Sequence, residues 1–322
     1  MSEAIQGNNK SYTAVITSCI LFGMVGIFVK GINNMETASI LFYRLLFGLG
    51  AVLLYLKLIG KLNELRLGKK RNYMLLLGVL NTITLFTYFS AFKYSSLAVA
   101  VLLLYTAPVY VTLLSPLILK ERITLKNIFA LTLSISGIVL IVNPGEFMGI
   151  SAEGSYLLGI LCGLVSGLSY GCSIMTINYL KEDYSGVAQM FWSTVVSLVL
   201  FLPFGVSVPA GVLFENLKTL VPLGIVATAL AYMLYFSGVV HIKAQTAAVL
   251  AFLEPVSCIF FGYAVLGEPI YANTIEGCAF ILFGAFLIGS NYPILSRPRA
   301  EYLGKIQGKM FPLFLPHRPG KL

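Results

Sequence analysis

Charge is scarce in this chain: 11% of its 322 residues are charged, against about 25% in an ordinary soluble domain. So little polar surface cannot face water on every side, which excludes a soluble globular protein and leaves the surplus apolar surface facing lipid. Aspartate occurs once, at Asp183, and histidine twice, at His241 and His317. With no His-Glu-x-x-His sequence and no second aspartate, the residue sets of intramembrane hydrolases are missing. The five cysteines, Cys19, Cys162, Cys172, Cys258 and Cys278, lie scattered in apolar stretches. That spacing suits neither a disulfide framework nor a metal centre, so they read as small packing residues. Neither a carbonyl-filter sequence nor a charged ring is found, which argues against a channel.

What is abundant is apolar: 58% of the residues are hydrophobic and mean hydropathy is +0.88. A span needs about 20 apolar residues to cross ~30 Å of hydrocarbon. Ten segments meet that length, at 12–33, 36–56, 73–92, 97–119, 125–143, 154–179, 185–205, 217–240, 244–266 and 272–290. The first is too long for a signal h-region, so no cleavable leader is expected. The formal charge of +9 lies in the connections and the tail rather than on one face, so nucleic acid is not an expected partner. Lys57, Lys61, Arg66, Lys69, Lys70 and Arg71 follow the second span, and Lys120, Arg122 and Lys126 follow the fourth. The connection after the fifth holds Glu146 and Glu153 with no basic residue. An even span number with basic connections inside predicts cytoplasmic termini, with 1–11 as the N-terminus and 291–322 as a basic tail touching lipid headgroups.

An offset of 147 residues lays one half of the chain on the other without a gap. Tyr88-Phe89-Ser90 falls on Tyr235-Phe236-Ser237, Pro108-Val109 on Pro255-Val256, Glu121 on Glu268 and Gly137 on Gly284. Five spans per copy is an odd number, so the second copy enters the membrane from the opposite face. Such inverted repeats offer two near-equivalent packings, one open to each face, with the substrate near the midplane between the repeats. The expected fold class is therefore an all-α membrane protein of ten transmembrane helices in two inverted five-helix repeats, 12–143 and 154–290.

These motifs resemble the drug/metabolite transporter superfamily, in its EamA-like ten-helix branch. The matching stretches are Ala107-Pro108-Val109, Lys120-Glu121-Arg122-Ile123-Thr124 and the Gly137 helix. They recur as Leu253-Glu254-Pro255-Val256, Leu266-Gly267-Glu268-Pro269 and the Gly284 helix. The resemblance covers residues 12–290 and implies a secondary transporter of small organic solutes, commonly amino acids or related metabolites, often exported and often proton-coupled. It implies no cofactor and no metal. Uptake of a cationic or nucleotide-derived solute, or a non-transporting scaffold, are the other readings. The expected location is a prokaryotic plasma membrane; lipid and a small-molecule substrate are the expected partners, and a homodimer is left open.

Glu254 lies ~15 Å into the ninth span, where an ionised carboxylate costs ~2.5–3.5 kcal/mol unless it faces a cavity or a partner. It reads either as a proton or cation site or as a structural carboxyl beside the break at Pro255. Arg44, at comparable depth in the second span, could pair with Glu254, hold a substrate carboxylate, or bond neighbouring helix ends. Pro108 and Pro255 are repeat-related, and each deprives the carbonyl four residues earlier, at Leu104 and Ala251, of its donor; a hinge and a packing kink are the two readings. Tyr88 with Tyr235, and Tyr105 with Phe252, are repeat-related aromatics suited to a pocket wall or to plain packing. Asn81, Thr84 and Ser90 add polar atoms to the third span, and Gln245 begins the ninth. Lys30 sits near the end of the first span, where snorkelling explains it. Glu121 and Glu268 stand where they could cap or anchor the next helix, or gate. Gly159, Gly163, Gly167 and Gly171 form a ridge for close helix contact.

Overall fold

The computed structural model describes residues 2–142 and 154–289, with side chains from 9 onward except at 97–98 and 154–155. All regular structure among them is helical. The order is α1 (Ser2–Gly23), α2 (Val25–Lys30), α3 (Thr37–Leu58), α4 (Arg71–Tyr94), α5 (Leu97–Leu104), α6 (Ala107–Ile118) and α7 (Leu125–Val142). Then come α8 (Gly154–Tyr179), α9 (Gly186–Val206), α10 (Ala210–Gly224), a π-helical turn (Ile225–Leu230), α11 (Ala231–Val239), α12 (Ala244–Leu250), α13 (Leu253–Leu266) and α14 (Ala272–Gly289).

Among the described residues, nine helical stretches are long and apolar enough to cross a membrane, and Ala272–Ile288 is a shorter apolar tenth. Leu54, Leu117, Phe260, Phe283 and Phe286 stand exposed on them, as a lipid-facing surface requires. The eighth span differs from its expected limits of 217–240. It runs from Ala210 to Val239, because Pro209 sets an extended N-cap and neither Glu215 nor Lys218 interrupts the helix. The fourth and ninth spans are not continuous. They break at Tyr105-Thr106 and at Ala251-Phe252, and the first breaks at Met24. The tail and the connection at 143–153 lie outside the described residues.

In lipid, apolar side chains gain little by meeting each other, so close approach of backbones decides packing. A Cβ on Gly137 would stand 2.5 Å from the carbonyl oxygen of Gly277, and one on Gly277 would stand 2.5 Å from that of Gly137. Gly284 likewise meets Ala130 and Ser134. An offset of 147 carries Ala130, Ser134 and Gly137 onto Gly277, Ile281 and Gly284, so the α7–α14 seam makes the same contacts in both directions. The ridge on α8 lies against the broken fourth span along its length, Gly159 on Ser95, Gly163 and Gly167 on Leu103, and Gly171 on Ala107.

Side-chain bonds tie each end of the bundle. At the end carrying the basic connections, Trp192 Nε1 donates to Leu65 O (2.8 Å), and Lys70 pairs with Asp183 (2.7 Å) over the ring of Tyr179. That bond to Asp183 holds the Lys70 ammonium above its ordinary pKa. At the opposite end the Asn33 N–H donates to Asn216 Oδ1 (3.0 Å), and Asn216 Nδ2 returns a bond to Asn33 O (2.9 Å).

Candidate functional site

The two helix breaks meet. Tyr105 and Phe252, the residues at the breaks, stack with ring centroids 5.6 Å apart at 25°. Both are buried, in a cluster with Ile138 and Val142 of α7 and Ile281 and Ile288 of α14. Each break is closed by short-range turns: the Thr106 N–H donates to Leu103 O (3.2 Å), the Phe252 N–H to Val249 O (3.2 Å) and the Glu254 N–H to Ala251 O (3.0 Å). Ala251 O thus keeps a donor despite Pro255. Pro108 and Pro255 stand in the first turn of α6 and α13, where a missing N–H costs nothing. Neither proline therefore kinks a helix interior.

Glu254, in the first turn of α13, is half-buried and is hydrogen-bonded by the Tyr105 hydroxyl. Tyr88, Tyr170, Tyr235, Cys19 and Cys258 lie within electrostatic reach of its carboxylate. The Tyr170 and Tyr235 hydroxyls are 3.3 Å apart, and Phe22 meets Tyr235 edge-on at 5.9 Å. Cys19 donates to Leu250 O at 3.5 Å. One carboxylate thus has a hydroxyl bonded to it from the α5–α6 break and further hydroxyls of α4, α8 and α11 within electrostatic reach. A mostly aromatic wall with a few polar groups is the usual lining of a small-molecule site.

Arg44 is buried and its Nε donates to Thr228 Oγ1 (3.1 Å), with Ala227 O 3.5 Å from Nη2. Among the described residues it forms no ion pair with Glu254, although its charge acts on that carboxylate. Thr228 and Ala227 both lie in the π-helical turn, and Gly48 and Gly224 let α3 and α10 approach to backbone contact beside it. Asn81, two turns before Tyr88 on the same face of α4, is half-buried, and no bond joins it to the Glu254 cluster among the described residues.

Glu121 and Glu268 do not cap the helices that follow them. Glu121 reaches across the bundle to α12, accepting from the Ala244 N–H (2.8 Å) and the Gln245 N–H (3.3 Å). Beneath it, Gln245 is buried between Asn127, whose Nδ2 donates to Gln245 Oε1 (2.5 Å), and Ser115, whose Oγ accepts from Gln245 Nε2 (2.7 Å). Glu268 pairs with Lys30, so Lys30 has a partner rather than a free snorkelling head.

Sequence reasoning missed Tyr170 and the Arg44–Thr228 contact. The repeat offset of 147 pairs Tyr170 with Gly23, so symmetry gave it no weight, and Ile-Val-Ala-Thr-Ala-Leu has no residue that marks a π-turn. The cysteines, read as packing residues, include two beside Glu254.

The sequence model of the EamA-like transporter family matches the chain twice, over residues 9–143 and 157–290. An uncharacterized transporter of Archaeoglobus fulgidus is 32% identical over 278 residues, covering 85% of this chain and 94% of that one. The uncharacterized transporter YoaV of Bacillus subtilis is 26% identical, covering 86% and 96%. Solute carrier family 35 member G1 of Homo sapiens is 23% identical over 57% of this chain and 52% of its own length. One crystal structure superposes with a TM-score of 0.74 at 18% identity, over 89% of this chain and all of that one, which is a likeness of fold. The chain belongs to the EamA-like transporter family of the drug/metabolite transporter superfamily, and it is a multi-pass membrane transporter rather than an enzyme.

Proposed function

We propose that the protein moves a small organic metabolite, an amino acid or related solute, outward across the plasma membrane by alternating access, coupled to protons through Glu254. The observation that carries this reading is the half-buried carboxylate at the meeting of two helix breaks, bonded by Tyr105 with Tyr88, Tyr170 and Tyr235 within electrostatic reach. A group so placed can hold a proton or a substrate cation and exchange it between two faces. Arg44, anchored by Thr228, supplies the positive charge that a substrate carboxylate would need nearby. Phe252 and Tyr105 form the floor between the repeats, Asn81 lines the approach along α4, and the breaks before Pro108 and Pro255 act as hinges.

In this reading residues 12–143 and 154–290 are inverted repeats. The offset of 147 that interchanges the α7–α14 contacts, and that relates the stacked Tyr105 and Phe252, supports it. The basic connections and both termini face the cytoplasm. A carboxylate among aromatic faces also suits an ammonium group, which favours a cationic solute as the second reading. Counterflow in proteoliposomes tests the proposal. Preloaded unlabelled solute should drive transient uptake of the labelled solute that a thermal-shift screen identifies, and Glu254→Ala should abolish it. Uptake unaltered by Glu254→Ala would contradict the assignment of the site.

A further inference from the structure

The ends of the fourth and ninth spans are built alike but latched differently. Lys120 and Gly267, related by the offset of 147, both adopt left-handed backbone, at φ 57° and 69°. The residues after them close the same turn: the Glu121 N–H donates to Ser115 O (3.3 Å) and the Glu268 N–H to Gly262 O (3.1 Å). Each turn thus ends its span on a carboxylate. Glu121 spends that carboxylate on the first two amides of α12. The amides that correspond to Ala244 and Gln245 under the offset of 147 are those of Leu97 and Ala98, the first two of α5. Such amides have no partner within their own helix. Glu268 holds Lys30 of α2 instead.

The surroundings differ in the same sense. α12 is sealed against α6 by the Ser115–Gln245–Asn127 bonds. α5, its counterpart, lies on α8 through Gly163 and Gly167, and α13 lies on α1, where Gly23 meets Ser257. At the basic end α12 is thus bonded to α6, whereas no hydrogen bond or ion pair joins α5 to α13 at the other end among the described residues.

We infer that Glu121 and Glu268 are exchanging latches: when the bundle closes at the opposite end, Glu268 leaves Lys30 and caps α5 at Leu97 and Ala98, while Glu121 lets go of α12. Lys30 is then the group that keeps Glu268 from its cap in the conformation described. The inference rests on the alternating-access reading and names the contacts that set its two states. A plain Lys30–Glu268 surface pair has a different signature. It would be lost equally by removing either partner, whereas a latch with two partners makes Glu268 matter in both states.

Spin-label distances in liposomes separate these cases, in a cysteine-free background that retains transport. One label pair sits at Arg122 and His241, the other at the corresponding Tyr94 and Pro269; all four residues are exposed. The parent protein should show two populations, one with the first pair near and the second far, the other reversed. Lys30→Ala should raise the reversed population roughly fivefold, the ratio that one helix cap carries, and Glu121→Ala should do the same. Adding Glu268→Ala to Lys30→Ala should reverse that rise. If the double variant matches Lys30→Ala, or if Glu121→Ala shifts nothing, the latch exchange is wrong while alternating access stands. If neither the parent nor any variant with added solute shows the reversed population, alternating access itself fails and the latch with it.

Discussion

Tyr105 and Phe252 stack on one another where the two helix breaks meet, and 147 residues separate them. In the proposed alternating-access reading, this stack is the place about which the two halves would turn. The same place holds both helix breaks and Glu254. Removing the Phe252 ring should therefore loosen the whole core: Phe252→Ala should cost about 3 kcal/mol or more and lower the melting temperature. Tyr105→Phe keeps the stack and loses only the hydroxyl on Glu254. It should melt near the parent temperature while shifting the pH profile of transport. Both variants can be compared by thermal denaturation in detergent and uptake at a series of pH values.

The α7–α14 seam depends on glycine for approach rather than for backbone freedom. Gly137→Leu would drive a side chain into the carbonyl of Gly277, 2.5 Å from the position of its Cβ. The expected loss is about 1–3 kcal/mol, as for other overpacked interiors. Gly50, whose Cβ would meet nothing, is the control, and Gly50→Leu should melt like the parent. Equal melting of the two variants would remove the seam from the account.

Hydropathy made the apolar helices of the fold legible, and the reason is physical. A membrane span must satisfy its backbone within one helix, so length and apolar composition are nearly sufficient to find it. The breaks were signalled only as prolines, because a proline in the first helical turn and one in mid-helix look the same in a string of apolar residues. Glu254 and Arg44 stood out because charge is rare at that depth. Tyr170 did not, since tyrosine is frequent here and its relation to Tyr235 arises only when α8 and α11 meet. The partners of Glu121 and Lys30 were equally hidden, because they lie 123 and 238 residues away.

Arg44 reaches Thr228 through a planar guanidinium, and a lysine of similar charge cannot reproduce that geometry. Arg44→Lys should lower apparent affinity for a carboxylate-bearing solute at least tenfold with a smaller fall in maximal rate, read from concentration dependence of counterflow. An unchanged affinity would make Arg44 a purely structural tie between α3 and the π-turn.

Orientation has a direct check. A cysteine at Asn63, in the basic connection after α3, should be shielded from an impermeant thiol reagent in intact cells. One at Pro269, at the opposite end, should react. Both positions are exposed, so burial does not confound the comparison. Equal labelling of the two from outside would overturn cytoplasmic termini.

The proposed proton coupling at Glu254 is tested most directly by one substitution in proteoliposomes carrying an imposed pH gradient. Glu254→Gln keeps the size of the side chain and its capacity to accept from Tyr105, but it cannot gain or lose a proton. The variant should bind the identified solute and exchange it across the membrane, yet fail to accumulate it when the gradient is applied. Accumulation against a gradient by Glu254→Gln, with the pH dependence of the parent, would contradict the account and make this carboxylate a structural one.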